Sequence, residues 1–359
     1  MRRVAVVVGF LLAACSPSAA PAVGASTAAR QSATPPVTAS AGEIVAVSQL
    51  PLTTVDFACR LSVARPTSSG DLTGGFLAFP AASFTADPNG LVHRTASGTY
   101  ANDASPTLYG VTGMMYDLAA HRWVPTDPKL MRPDGRFYAY ATGDYVHVVN
   151  VADGTENDFR VSVPGVDTSS VAVAEFDSAG VYLLANHQDR YPSGVWVMNQ
   201  TSGDVRALAQ VSGAMAVRGG YVWIGAVDPR DPSPPRLSSG NVTYDSIVRV
   251  DLTTGNRTPW FYRPGESVSL LGLDGHGQPV VGLASNSRMD FNSVTEVRLV
   301  PRPGEQGALI FSGGWGLQGP QADGDRLWFG GGTGIYLYTA QRGLQNVFTG
   351  DGLPVGRCL

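Results

Sequence analysis

The chain has 359 residues, a formal net charge of −4 and a charged fraction of only 15%. No basic stripe runs along it, which argues against a nucleic-acid partner. Gly (43) and Pro (25) are abundant and long segments of 3.6-residue periodicity are absent, so the composition points away from a helical fold.

In chain order, Arg2 and Arg3 precede an apolar run from Val4 to Ala14. A basic start, a short apolar core and small residues before a cut site describe a secretory signal peptide. The run is too short to span a bilayer of about 30 Å as a helix. The quartet Leu12-Ala13-Ala14-Cys15 resembles the lipobox of bacterial lipoproteins. That resemblance implies cleavage after residue 14 and a lipid on Cys15, holding the protein on the outer face of the cell membrane or, in a cell with two membranes, in the periplasm or at the outer membrane. Residues 15–42, beyond Cys15 itself, are mostly Ala, Ser, Thr and Pro with a single charge, Arg30. They offer nothing to bury and are expected to form a disordered tether.

The three cysteines are Cys15, Cys59 and Cys358. With Cys15 lipidated, Cys59 and Cys358 are left to pair in an oxidising compartment, joining the two ends of the folded region 43–359.

From residue 43 onward, short runs rich in Val, Tyr, Phe and Trp alternate with turn clusters, which predicts an all-β fold. Two features recur in alternation. The first is a tight turn followed by a hydrophobic strand: "PDGRFYAYA" (133–141), "SAGVYLLAN" (178–186), "RGGYVWIGA" (218–226), "GHGQPVVGLA" (275–284) and "DGDRLWFGG" (323–331), with "GGFLAFP" (74–80) as a degenerate first copy. The second is a strand running into a polar turn with glycine: "VVNVADGTE" (148–156), "WVMNQTSGD" (196–204), "VRVDLTTGN" (248–256), "VRLVPRPGE" (297–305) and "IYLYTAQRG" (335–343), with "MMYDLAAHRW" (114–123) as its degenerate first copy. In "DLTTGN", the Asp251 side chain is suited to accept backbone N–H groups across the turn, and Gly255 to adopt positive φ.

Six alternations at a spacing of roughly fifty residues predict a β-propeller of six blades. Seven blades is the alternative, with the region around Cys59 adding a sheet; the repeat disfavours a pair of β-sandwiches. Trp123, Trp196, Trp223, Trp260, Trp315 and Trp328 are expected to pack between blades. The pieces "PDGRFYAY" and "VDLTTGNRTPW" resemble repeats of the broad bacterial propeller superfamily that includes TolB-like, WD40-like and quinoprotein-like members. "LWFGGGTGIYLYTAQRGLQNVFTGDGLP" (327–354) resembles the periplasmic sensor propellers of two-component regulators. These turn motifs imply a fold, and no activity.

Placing the first turn between strands A and B of each blade, and the second between C and D, sends every B–C connection to the opposite rim. That connection is short in "TGD" (142–144) and "GGTG" (331–334) but long in "NHQDRYPSG" (186–194), "VDPRDPSPPRLSSGNVTYDS" (227–246) and "SNSRMDFNSVT" (285–295). Three consecutive blades thus raise polar loops on one rim, where function tends to sit. The predicted recognition residues are His187, Asp189, Arg190, Tyr191, Asp228, Arg230, Asp231, Arg236, Arg288, Asp290 and Phe291.

Signatures of chemistry are missing. H-E-x-x-H, G-x-S-x-G and C-x-x-C do not occur, and no recognisable quinone cradle accompanies the quinoprotein-like turn. His93, His121, His147, His187 and His276 are scattered and read as structural or solvent-facing. No catalytic residue, metal ligand or cofactor is assigned. The expectation is a monomeric, non-catalytic binding module outside the cytoplasm, recognising a protein or cell-envelope ligand. The alternative is a metal-dependent small-molecule hydrolase or lactonase with its site in the propeller channel.

Overall fold

A computed structural model describes residues 45–163, 171–185, 194–229, 243–284 and 294–359. Residues 1–42, expected to hold a signal peptide, Cys15 and a tether, lie outside them. The first strands are β1 (Cys59–Pro66), β2 (Leu72–Phe79) and β3 (Ser83–Arg94), followed by the short strands β4 (Tyr100–Asn102), β5 (Leu108–Gly110), β6 (Met115–Asp117) and β7 (Arg122–Val124). Then come β8 (Phe137–Thr142), β9 (Tyr145–Asn150) and β10 (Glu156–Arg160). A run of four follows: β11 (Val171–Asp177), β12 (Gly180–Ala185), β13 (Gly194–Met198) and β14 (Val205–Gln210). The next is β15 (Ala214–Arg218), β16 (Tyr221–Ala226), β17 (Ser246–Asp251) and β18 (Arg257–Tyr262), and after it β19 (Ser267–Leu273), β20 (Pro279–Ala284), β21 (Glu296–Leu299) and β22 (Ala308–Ser312). The last run is β23 (Gln321–Asp323), β24 (Arg326–Gly331), β25 (Gly334–Thr339) and β26 (Gly343–Thr349), with β27 (Leu353–Cys358) at the C-terminal end.

The chain is an all-β, six-bladed propeller. Blades 3 to 6 are four-stranded antiparallel meanders, β11–β14, β15–β18, β19–β22 and β23–β26. Blade 2 is β8–β10, with its innermost position reduced to one bridge between Met131 and Tyr138. Blade 1 closes the ring: β27, from the far end of the chain, pairs with β1, and the sheet continues through β2 and β3. Cys59 and Cys358 form a disulfide across that seam, with Cα atoms 5.5 Å apart and a sequence separation of 299.

The second strands explain the continuous apolar runs of the sequence. β12 (GVYLLA) and β20 (PVVGLA) are buried at every position, because each face packs on a neighbouring blade. Outer strands such as β10 (ENDFR) are largely polar and more exposed. The tryptophans fill inter-blade layers, as expected from their places in the repeat. Trp196 packs with Val146 and Val148 of blade 2, and Trp223 of blade 4 meets Trp260 edge-on at 4.9 Å in the layer shared with blade 5. Trp315 meets Phe329 at 5.0 Å in the layer between blades 5 and 6, and Trp328 stacks on Phe79 at 5.5 Å between blades 6 and 1. Such pairs contribute about 1 kcal/mol each beyond their area burial.

The degenerate first copies sit elsewhere than the repeat predicted. "GGFLAFP" belongs to β2, the third strand of blade 1, rather than a second strand. "MMYDLAAHRW" forms the hairpin β6–β7, whose strands pair only with each other. Its turn has the expected chemistry: Asp117 accepts the amides of Ala119 and Ala120. That chemistry makes a hairpin and does not choose the sheet it joins. The hairpin packs through Trp123 against Phe76 of blade 1, and Val124 joins the apolar layer under Tyr138 of blade 2.

Candidate functional site

The strand order confirms the assignment of turns to rims. Tight A–B and C–D turns share one rim, and B–C connections emerge from the other. On the tight rim one turn is built three times. Asn150, Asn199 and Asp251 each accept backbone amides with a side-chain oxygen, from Ala152, from Thr201 and Ser202, and from Thr253 and Thr254. Four residues on, Gly154, Gly203 and Gly255 stand at φ of 71°, 75° and 74°.

On the opposite rim, β8 passes to β9 through Gly143 and Asp144 alone, whereas β12 and β13, β16 and β17, and β20 and β21 are joined by residues 186–193, 227–245 and 285–295. The stem of the longest connection is pinned. The fully buried Asp245 accepts the Asp228 amide through Oδ1 at 2.7 Å and the Arg263 amide through its carbonyl at 3.0 Å. Thr243 Oγ1 lies 2.9 Å from Ser267 Oγ. The Tyr244 ring lies over Gly225, where a Cβ would stand 2.2 Å from it, so this residue is necessarily glycine. The third connection is anchored by the Thr295 amide on the Leu283 carbonyl at 2.8 Å and the Trp315 amide on the Val294 carbonyl at 3.1 Å.

Of the predicted recognition residues, Asp228 is described, at this stem. His187, Asp189, Arg190, Tyr191, Arg230, Asp231, Arg236, Arg288, Asp290 and Phe291 lie outside the described residues.

A second polar constellation, not singled out in the sequence, occupies one face of blade 2. His147 on β9 stands directly opposite Asp158 on β10 and Tyr140 on β8. Glu156 is two residues from Asp158 and therefore on the same face. His147 Nδ1 lies 2.7 Å from Glu156 Oε1 and 2.8 Å from Asp158 Oδ1, while Nε2 lies 2.5 Å from Thr142 Oγ1. Tyr140 stacks on the imidazole at 4.5 Å and donates its hydroxyl to Glu156 Oε1 at 2.8 Å. Burial opposes the imidazolium, but the hydrogen bonds to Glu156 and Asp158 outweigh it and raise the His147 pKa. The His147 hydrogen bond in turn holds the Glu156 carboxyl below its usual range, against burial.

Two further ionisable groups, Glu175 buried and Arg122 half-buried, escape sequence reading. Glu175 follows a bulge in β11, the innermost strand of blade 3; its side chain is 9% exposed, and Arg218 Nε lies 3.7 Å away. Burial pushes its carboxyl up to about 7, against the attraction of Arg218. Arg122 borders a cleft of about 600 Å³ lined also by Asp87, Asn89, Ser105 and Trp123. Its guanidinium donates to the carbonyls of Ala104, Pro106 and Val151, and so ties together three segments of chain.

No family model and no curated protein matches the chain. Solved structures do match across most of it. TolB from Acinetobacter baumannii is 11% identical, with a TM-score of 0.38 over 85% of this chain and 67% of that one. An oligogalacturonate lyase in complex with manganese is 12% identical, with a TM-score of 0.43 over 83% and 86%. An acylaminoacyl peptidase in complex with a chloromethyl ketone is 9% identical, with a TM-score of 0.40 over 81% and 46%. This is distant likeness between propellers whose names denote different functions.

Proposed function

We propose that the protein is a lipid-anchored, non-catalytic binding module that works outside the cytoplasm. In this reading Cys15 carries the lipid after cleavage of residues 1–14, and residues 15–42 hold the propeller away from the membrane. The rim bearing connections 186–193, 227–245 and 285–295 recognises a protein or cell-envelope ligand. One observation carries it: three consecutive blades send long connections from one rim, and the longest stands on a stem fixed by Asp245 and Tyr244. A stem already ordered lowers the entropy lost when a loop engages a partner.

The test is crosslinking and mass spectrometry on native membranes. Wild type is compared with a variant in which residues 229–242 become a short Gly-Ser link, leaving the stem intact. A partner captured by the wild type and lost by the variant is the expected result. Equal capture by both, or capture by neither, overturns the assignment of this rim.

A further inference from the structure

We propose that His147, Glu156 and Asp158 form a binding site for a divalent transition-metal ion of the Zn²⁺ type on the face of blade 2. Their donor atoms all lie within 4.8 Å of one another, the one such trio among the described residues. It lies on the third and outer strands of the blade, away from the channel.

The argument begins with charge. Two carboxylate oxygens converge on a single ring nitrogen, at 2.7 and 2.8 Å. Like charges so placed repel unless a cation lies between them. A proton on Nδ1 can point along only one of the two hydrogen bonds. A metal ion in its place is reached by all three donors at once. The other ring nitrogen is already partnered, with Nε2 2.5 Å from Thr142 Oγ1; with Nε2–H as the donor there, a metal that displaces the Nδ1 proton meets a lone pair on the same side as both carboxylates. A hydrogen bond of this kind fixes the tautomer and ring orientation of metal-ligating histidines. Tyr140 orients the Glu156 carboxylate in the same way while its ring holds the imidazole plane.

The backbone supplies the rigidity. His147 and Asp158 are a directly opposed cross-strand pair and Glu156 is the next residue on that face, so antiparallel pairing fixes all three Cα positions. Tetrahedral bonds of about 2.0–2.1 Å require donors about 3.3 Å apart, so the trio must open by roughly half an ångström. Asp158, whose side chain is 57% exposed, has room to retreat. One nitrogen and two carboxylate oxygens suit Zn²⁺, and three protein ligands leave a coordination position open to water or an external ligand. Among the described residues, the other histidine–carboxylate contacts, His93 with Asp103 and His276 with Asp325, bring one carboxylate each and serve as internal controls.

The experiment titrates metal-free protein with ZnCl₂ by calorimetry, and with Co²⁺ by visible absorption. One ion per chain is expected, with the Co²⁺ bands of a low-coordinate site. His147→Gln and Asp158→Asn should abolish both signals, Tyr140→Phe should weaken affinity about tenfold, and His276→Gln should change neither. Should His147→Gln fail to fold by circular dichroism, the more exposed Asp158→Asn carries the test. A folded wild type that binds neither ion overturns the site. So does zinc binding that survives Asp158→Asn or falls equally in His276→Gln.

Discussion

The two rims of the ring are made by the same strands and obey different rules. On one, strand ends are closed by a repeated device, an Asn or Asp side chain accepting amides and a glycine in the left-handed region, at Asn150, Asn199 and Asp251. On the other, connections range from Gly143–Asp144 to residues 227–245, and what recurs is the fixing of the stems. The first rim sets register and offers little surface. The second inherits a settled scaffold and is released from turn chemistry, so the length and composition of its connections are free to vary.

The largest perturbation acts on both rims together. Removing the Cys59–Cys358 bridge frees a loop spanning 299 residues in sequence, for which chain entropy gives up to about 5–6 kcal/mol of lost stability. Denaturant unfolding of Cys59→Ser against wild type should show a much lower midpoint with both rims unfolding in one transition. Separate transitions would mean that the ring is not one cooperative unit.

Next in size is Glu175, at the tight-turn end of the innermost strand of blade 3. Its folded pKa of about 7 lies above the ordinary 4.5, so the folded state binds the proton more tightly than the unfolded chain. The resulting stabilisation is fully present below about 4.5 and is lost as pH rises through about 7. Its full size is on the order of 3 kcal/mol. Melting curves across this range should show Glu175→Gln gaining on the wild type as pH rises; a difference independent of pH would contradict the buried carboxyl.

Two smaller changes separate the rims. Asp245→Ala strands the Asp228 amide and should cost about 2 kcal/mol, with hydrogen exchange quickening at residues 227–229 and 243–246 while the tight turns stay protected. Gly255→Ala places a side chain at φ 74° and should cost about 1 kcal/mol, with the exchange pattern reversed. If either change loosens both rims alike, the distinction between them fails.

Much of this was legible in the sequence because local chemistry governs it. "DLTTGN" announces its own turn through Asp251 and Gly255, and the five alternating copies of blades 2 to 6 announce a ring. Blade 1 was not legible in its details: β2 joins β1, whose other neighbour is β27, and nothing within residues 72–79 records that pairing. The blade 2 trio was within reach. Counting outward from the turn after Asn150 places Val149 opposite Glu156 and His147 opposite Asp158, but considering each histidine singly hides a pairing that belongs to the hairpin. Glu175 gave no signal, since its burial comes from the bulge in β11 and from the adjoining blade.

The most direct test of the proposed recognition rim is hydrogen–deuterium exchange on the protein bound to a partner captured by crosslinking, against the free protein. The account predicts new protection in peptides covering 186–193, 227–242 and 285–293, and none in those covering 151–155, 199–204 and 252–256. Protection confined to the tight-turn peptides would contradict it and move the binding surface to the opposite rim.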